Sequence, residues 1–144
     1  MGDLSEHFDR KEFECHHCGN AVIVPKLIPA LEKLRILAGR PIRVTSGYRC
    51  PEHNKAIGGA ASSQHCLGTA ADIAIGGLSI EQMYVLASQV EEFSQGGIAM
   101  YDDGHLHVDV RPWRARWAKL NGKEVSIQAF FAHNSPTGNA GVSS

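Results

Sequence analysis

His65, Asp72 and His107 have the residue types and spacing of three protein ligands for one catalytic zinc ion. The first two lie in Ser63-Gln64-His65-Cys66-Leu67-Gly68-Thr69-Ala70-Ala71-Asp72, and the third lies in His105-Leu106-His107-Val108-Asp109. Zinc accepts imidazole nitrogen and carboxylate oxygen at roughly 2.0–2.2 Å, and a catalytic site keeps its fourth position open for water. Three ligands without a fourth predict hydrolysis, with one zinc ion as cofactor.

These side chains need rigid elements to hold them. Apolar residues recur at Leu27, Leu31, Leu34 and Leu37 after Pro25, which predicts a helix that stops at Gly39. Pro41 to Ser46 alternates apolar and polar residues and reads as a short strand that delivers Tyr48 and Arg49. Residues 51–55 suggest a short helix and 58–63 a loop of small residues; Ala70 to Ile75 is a second strand with Asp72 facing opposite to Ile73. Ser79 and Gln82 form a capping-box pattern for a helix with a buried stripe of Ile80, Met83, Ala87, Val90 and Phe93, ended by Gly96-Gly97.

Ile98 to Tyr101 and His105 to Val110 then read as a hairpin closed by Asp102-Asp103-Gly104. Side chains alternate with period two, so His105, His107 and Asp109 share one face while Leu106, Val108 and Val110 share the other. Asp109 is thereby placed to accept a ring N–H and fix the tautomer of a ligand histidine. Ser63, two residues before His65, is a hydrogen-bonding neighbour of the ligands.

With 144 residues, 43% of them hydrophobic, the chain can bury one core and is short for two. We expect a single domain over residues 1–133, with an arm at 1–24 that packs Phe8 and Phe13 onto it, and a disordered tail at 134–144 rich in Ser, Gly, Asn and Pro. A formal net charge of -1 offers no broad cationic field, so neither nucleic acid nor membrane is an expected partner, and a monomer is expected. No run of about 18 apolar residues is present, and Met1-Gly2-Asp3-Leu4-Ser5-Glu6 lacks the basic and apolar regions of a secretory signal, so cytoplasmic synthesis is expected. The four cysteines at 15, 18, 50 and 66 fit free thiols; Cys15-His16-His17-Cys18 could also clip the arm with a metal, though no second Cys-x-x-Cys follows. Cys66 reads as packing.

Thr45-Ser46-Gly47-Tyr48-Arg49, His65 with Gly68 and Asp72, and His107-Val108-Asp109 followed by Arg111 and Trp117 resemble the zinc D-alanyl-D-alanine peptidases of bacteria and their phages, a family that shares its fold with the hedgehog signalling domain. Phe8-Asp9-Arg10-Lys11-Glu12-Phe13-Glu14-Cys15 is similar to the arm that opens the family's small branch. The resemblance implies an α+β domain with a small antiparallel sheet, helices packed on it and a zinc cleft on the sheet. It also implies peptidoglycan peptides as substrate, cut as a carboxypeptidase or an endopeptidase, in a setting such as a phage endolysin acting on the cell wall.

By the same resemblance Arg49 binds a substrate carbonyl or carboxylate, with Tyr48 and Ser63 beside it, and His105 bonds the tetrahedral intermediate or shuttles a proton. Clearer relatives place an acid three residues before the last zinc histidine, where this chain has Gly104. Asp103 is the candidate general base and Asp102 the second. That departure leaves a metal-bearing binding module without catalysis, or a phage virion component, as competing expectations.

Overall fold

The computed structural model describes residues 2–59 and 63–134. Its elements run α1 (Leu27–Ala38), β1 (Arg43–Ser46), α2 (Pro51–Ala56), β2 (Ala70–Ala74), α3 (Ile80–Ala87), α4 (Glu91–Ser94), β3 (Gly97–Tyr101), β4 (Leu106–Asp109), β5 (Ala115–Leu120), β6 (Lys123–Val125) and α5 (Ile127–Asn134). The six strands form one sheet in the order β1-β2-β4-β3-β5-β6. The architecture is α+β as expected, but the sheet is mixed: β5 pairs with β3 in parallel, and the other four pairings are antiparallel.

Period-two alternation divides the sheet between core and chemistry. Ile73, Leu106, Val108, Ile98, Met100 and Ala118 turn to one face, where they bury against Leu31, Leu34, Met83 and Phe93. The opposite face carries Asp72, His107, Ala99 and Trp117 in a single row across β2, β4, β3 and β5. Ala99 is small, so the rings of His107 and Trp117 meet above it with centroids 5.0 Å apart.

Local signals fix the helices. Gly39 ends α1 in the left-handed region, and the reciprocal Ser79–Gln82 capping box is formed. The single helix expected over the stripe from Ile80 to Phe93 is instead two, because Ser88 Oγ donates back to the Tyr84 carbonyl at 2.8 Å and Val90 adopts an extended conformation. The break lets both Val90 and Phe93 reach the core.

The arm folds back through Phe8 and Phe13, both buried, edge to face at 6.1 Å. The Phe13 carbonyl accepts the Tyr48 N–H at 2.9 Å, tying the arm to the segment that leads to Arg49. β5, β6 and α5 were not anticipated. The link from β4 to β5 passes the start of β3, where the Ala115 N–H donates to the Gly96 carbonyl at 3.0 Å and Arg116 reaches the carbonyls of Ser94 and Gly96 at 2.8 Å each. The expected tail falls, from residue 135 on, outside the described residues, as do residues 60–62 of the small-residue loop. Among the described residues no helix is long and apolar enough to cross a membrane.

Candidate metal centre

Asp72 and His107 are direct cross-strand partners on β2 and β4, while His65 comes from a 3-10 turn over Gln64–Leu67. Ser63 caps that turn by accepting the His65 N–H at 3.2 Å, and Gly68 ends it at φ 76°. A Cβ on Gly68 would stand 2.3 Å from the Val22 carbonyl oxygen. Gly68→Ala therefore combines a left-handed backbone with a backbone clash, and should cost about 1–3 kcal/mol, read as a lower denaturation midpoint together with weaker metal binding.

The ligand atoms converge. His65 Nε2 and His107 Nδ1 each lie 3.2 Å from Asp72 Oδ1, and the three groups are buried within 4.8 Å of one another. The remaining ring nitrogens have fixed partners: His65 Nδ1–H donates to the Gly47 carbonyl at 2.7 Å, and His107 Nε2–H donates to Asp109 Oδ2 at 2.6 Å. Because a carbonyl and an ionised carboxylate only accept, both imidazoles turn a lone pair toward the same carboxylate oxygen. Such a set favours a cation between its members, and two imidazoles with one carboxylate match the chemistry of zinc with an open fourth position.

Asp109 supports this arrangement from beneath. It is fully buried, yet accepts from Gly97 N–H at 2.9 Å, Arg111 Nε at 2.9 Å and Arg111 Nη2 at 2.7 Å besides His107. Burial acts to raise its pKa, and the bonds from His107 and Arg111 more than reverse that. Gly97 admits this approach, since a Cβ there would lie 2.3 Å from Asp109 Oδ2. The Arg111 guanidinium in turn lies over Trp117 and Trp113, 5.2 and 5.5 Å from their centroids.

Arg49 and His105 complete the rim on the Oδ2 side of Asp72, at 4.0 Å through Arg49 Nη2 and 3.8 Å through His105 Nε2. Arg49 is oriented by donating from Nη1 to Asn54 Oδ1 at 2.8 Å. His105 stacks on Tyr101 at 4.2 Å, and its Nδ1 lies 2.6 Å from Asp103 Oδ1. The two expected general bases both lie in the turn that precedes His105. Asp103 is two-thirds exposed and spends Oδ1 on His105, so His105 Nε2, not the carboxylate, reaches the cleft. Asp102 Oδ2 accepts the Asn121 N–H at 2.7 Å and ties two turns together. Tyr48, expected near substrate, is not among the residues that line the cleft, and burial and the neighbouring thiols raise its phenol pKa.

Comparison with known proteins bears on what this cleft belongs to. The sequence model described as Peptidase M15 matches residues 6–109, which is most of the chain and takes in His65, Asp72, His107, Arg49 and His105. The chain belongs to the Peptidase M15 family. Members are zinc-dependent peptidases, so hydrolase and metallopeptidase describe the chain at that level. No curated protein matches it.

In this M15 chain the cleft encloses about 680 Å³, and part of its wall was not foreseen. Tyr101, Lys119 and Glu124 line it together with Trp117, whose Nε1–H donates to the Tyr101 hydroxyl at 3.1 Å. Tyr101 carried a usable signal, since it follows Ala99 by two on the strand facing His107. Lys119 and Glu124 carried none without the parallel pairing of β5.

Proposed function

We propose that this M15 protein hydrolyses the peptide part of peptidoglycan, as a carboxypeptidase or endopeptidase of the D-alanyl-D-alanine type with a hedgehog-like zinc cleft. The observation that carries the reading is the convergence of His65 Nε2, Asp72 Oδ1 and His107 Nδ1, with Arg49 and His105 on one side of them. Zinc held there would polarise a carbonyl and lower the pKa of a bound water from about 15.7 to about 7.

The chain's own groups do the rest. Arg49, fixed by Asn54, offers a guanidinium to the scissile carbonyl oxygen or a terminal carboxylate, where negative charge grows during attack. His105 Nε2 takes a proton and returns it to the leaving amine, in a dyad whose Asp103 holds Nδ1–H and stabilises the imidazolium. Tyr101 supports that ring by stacking, and Trp117 shields His107 from water. The dyad supplies the acid–base function that Gly104 cannot.

Arg49→Ala should retain zinc and lose about 10²–10³ in kcat/KM, the typical cost of one donor to a developing oxyanion. Wild-type kinetics from that variant would remove Arg49 from the mechanism. The reading as a whole is tested by mass spectrometry of muropeptides before and after digestion, with and without chelator. Chelator-sensitive products with a cleaved D-amino-acid bond support it; metal retention without product would identify a binding module instead.

A further inference from the structure

The fold gathers three of the four cysteines at one point away from the cleft. Cys15 and Cys18 come from the arm and Cys50 from the residue that caps α2, and their sulfur atoms all lie within 4.8 Å of one another. Cys15 and Cys50 are buried. A disulfide would use two of these sulfurs and strand the third in the same small space, whereas a metal ion engages all three.

Backbone donors gather at two of the sulfurs. Backbone N–H groups of His17 and Cys50 point at Cys15 Sγ, and that of His53 points at Cys50 Sγ, each at 3.4 Å. The arm makes a Cys-x-x-Cys-Gly turn closed by the Gly19 N–H on the Cys15 carbonyl at 2.9 Å, with Gly19 at φ 77°. This places both arm sulfurs beside Cys50. His17 Nδ1 lies 3.5 Å from Cys50 Sγ, and the His17 ring stacks on His53 at 5.9 Å with planes 7° apart.

Three thiolates supply three corners of a tetrahedral zinc site of the structural kind, while His17, which groups with Cys50 and Glu52 instead of with the arm sulfurs, lies outside that set. We propose that Cys15, Cys18 and Cys50 hold a second, structural zinc ion that staples the arm to the start of α2. Cys50 directly follows Arg49, so the staple acts as a positioning device for that side chain. Cys66 is not part of it.

Metal analysis of the full chain, loaded with zinc in reducing buffer, should give two ions per chain. His107→Ala and Cys18→Ser should each retain one, and the double variant none. Cobalt-loaded His107→Ala should show a near-ultraviolet thiolate-to-metal absorption that Cys18→Ser abolishes, and its thiols should react with a modifying reagent only after chelation. A His107→Ala chain that retains no zinc, a cobalt form of it without thiolate absorption, or thiols equally reactive with and without zinc would overturn the staple. Because the overturning readouts are taken in His107→Ala, loss of the peptidase reading would leave them untouched.

Discussion

His107→Ala is expected to lose cleft zinc and hydrolysis together. The variant removes Nδ1, one of two imidazole nitrogens that meet at Asp72 Oδ1, and leaves His65 and Asp72 as an incomplete set. The Lewis acid is worth several kcal/mol of transition-state stabilisation, and at 1.36 kcal/mol per decade this predicts a loss of about 10³–10⁵ in kcat/KM. Chelation of the wild type should produce a loss of the same size, and added zinc should reverse only the second. A zinc-free His107→Ala protein with wild-type turnover would contradict the assignment.

Asp109→Ala should be the most damaging change to stability. Asp109 is the common acceptor for His107, Arg111 and the Gly97 N–H, and it lies wholly out of solvent. Removing it leaves the guanidinium of Arg111 in a largely enclosed place without its counter-charge, for which about 3–5 kcal/mol is the usual cost. For a chain of this size that corresponds to roughly 10 °C in Tm. The same variant frees the His107 ring, so affinity for cleft zinc should fall by about 10–100-fold in the protein that remains folded. Calorimetry and competitive metal titration measure the two effects separately; an unchanged Tm would mean that Arg111 finds another partner.

What could be read from the sequence was local. Leu27 to Ala38, the Ser79 cap and the face shared by His107 and Asp109 follow from periodicity and turn chemistry within a few residues, and all are seen. The ligand histidines and Asp72 meet because β2 and β4 pair in register, which the spacing alone suggested only as a set of residue types. Non-local pairing was out of reach. Nothing within residues 115–120 states that this strand runs parallel to β3, and the Asp102-Asp103-Gly104 turn gave the hairpin without the orientation of its carboxylates, which turn to Asn121 and His105. The helix break at Val90 escaped for a related reason, since a stripe at helical spacing is compatible with two helices that reach one core.

The far wall of the cleft comes from β5 and β6, which follow the stretch of chain shared with the family. Lys119 and Glu124 face the imidazoles from that hairpin without contributing to the cation-binding set. The cation-binding set and the far wall of the cleft thus come from consecutive but separate segments. A hairpin of different charge or length at this place would reshape the cleft wall while His65, Asp72 and His107 stayed as they are, which makes residues 115–125 the natural stretch to exchange when a different cleft lining is sought.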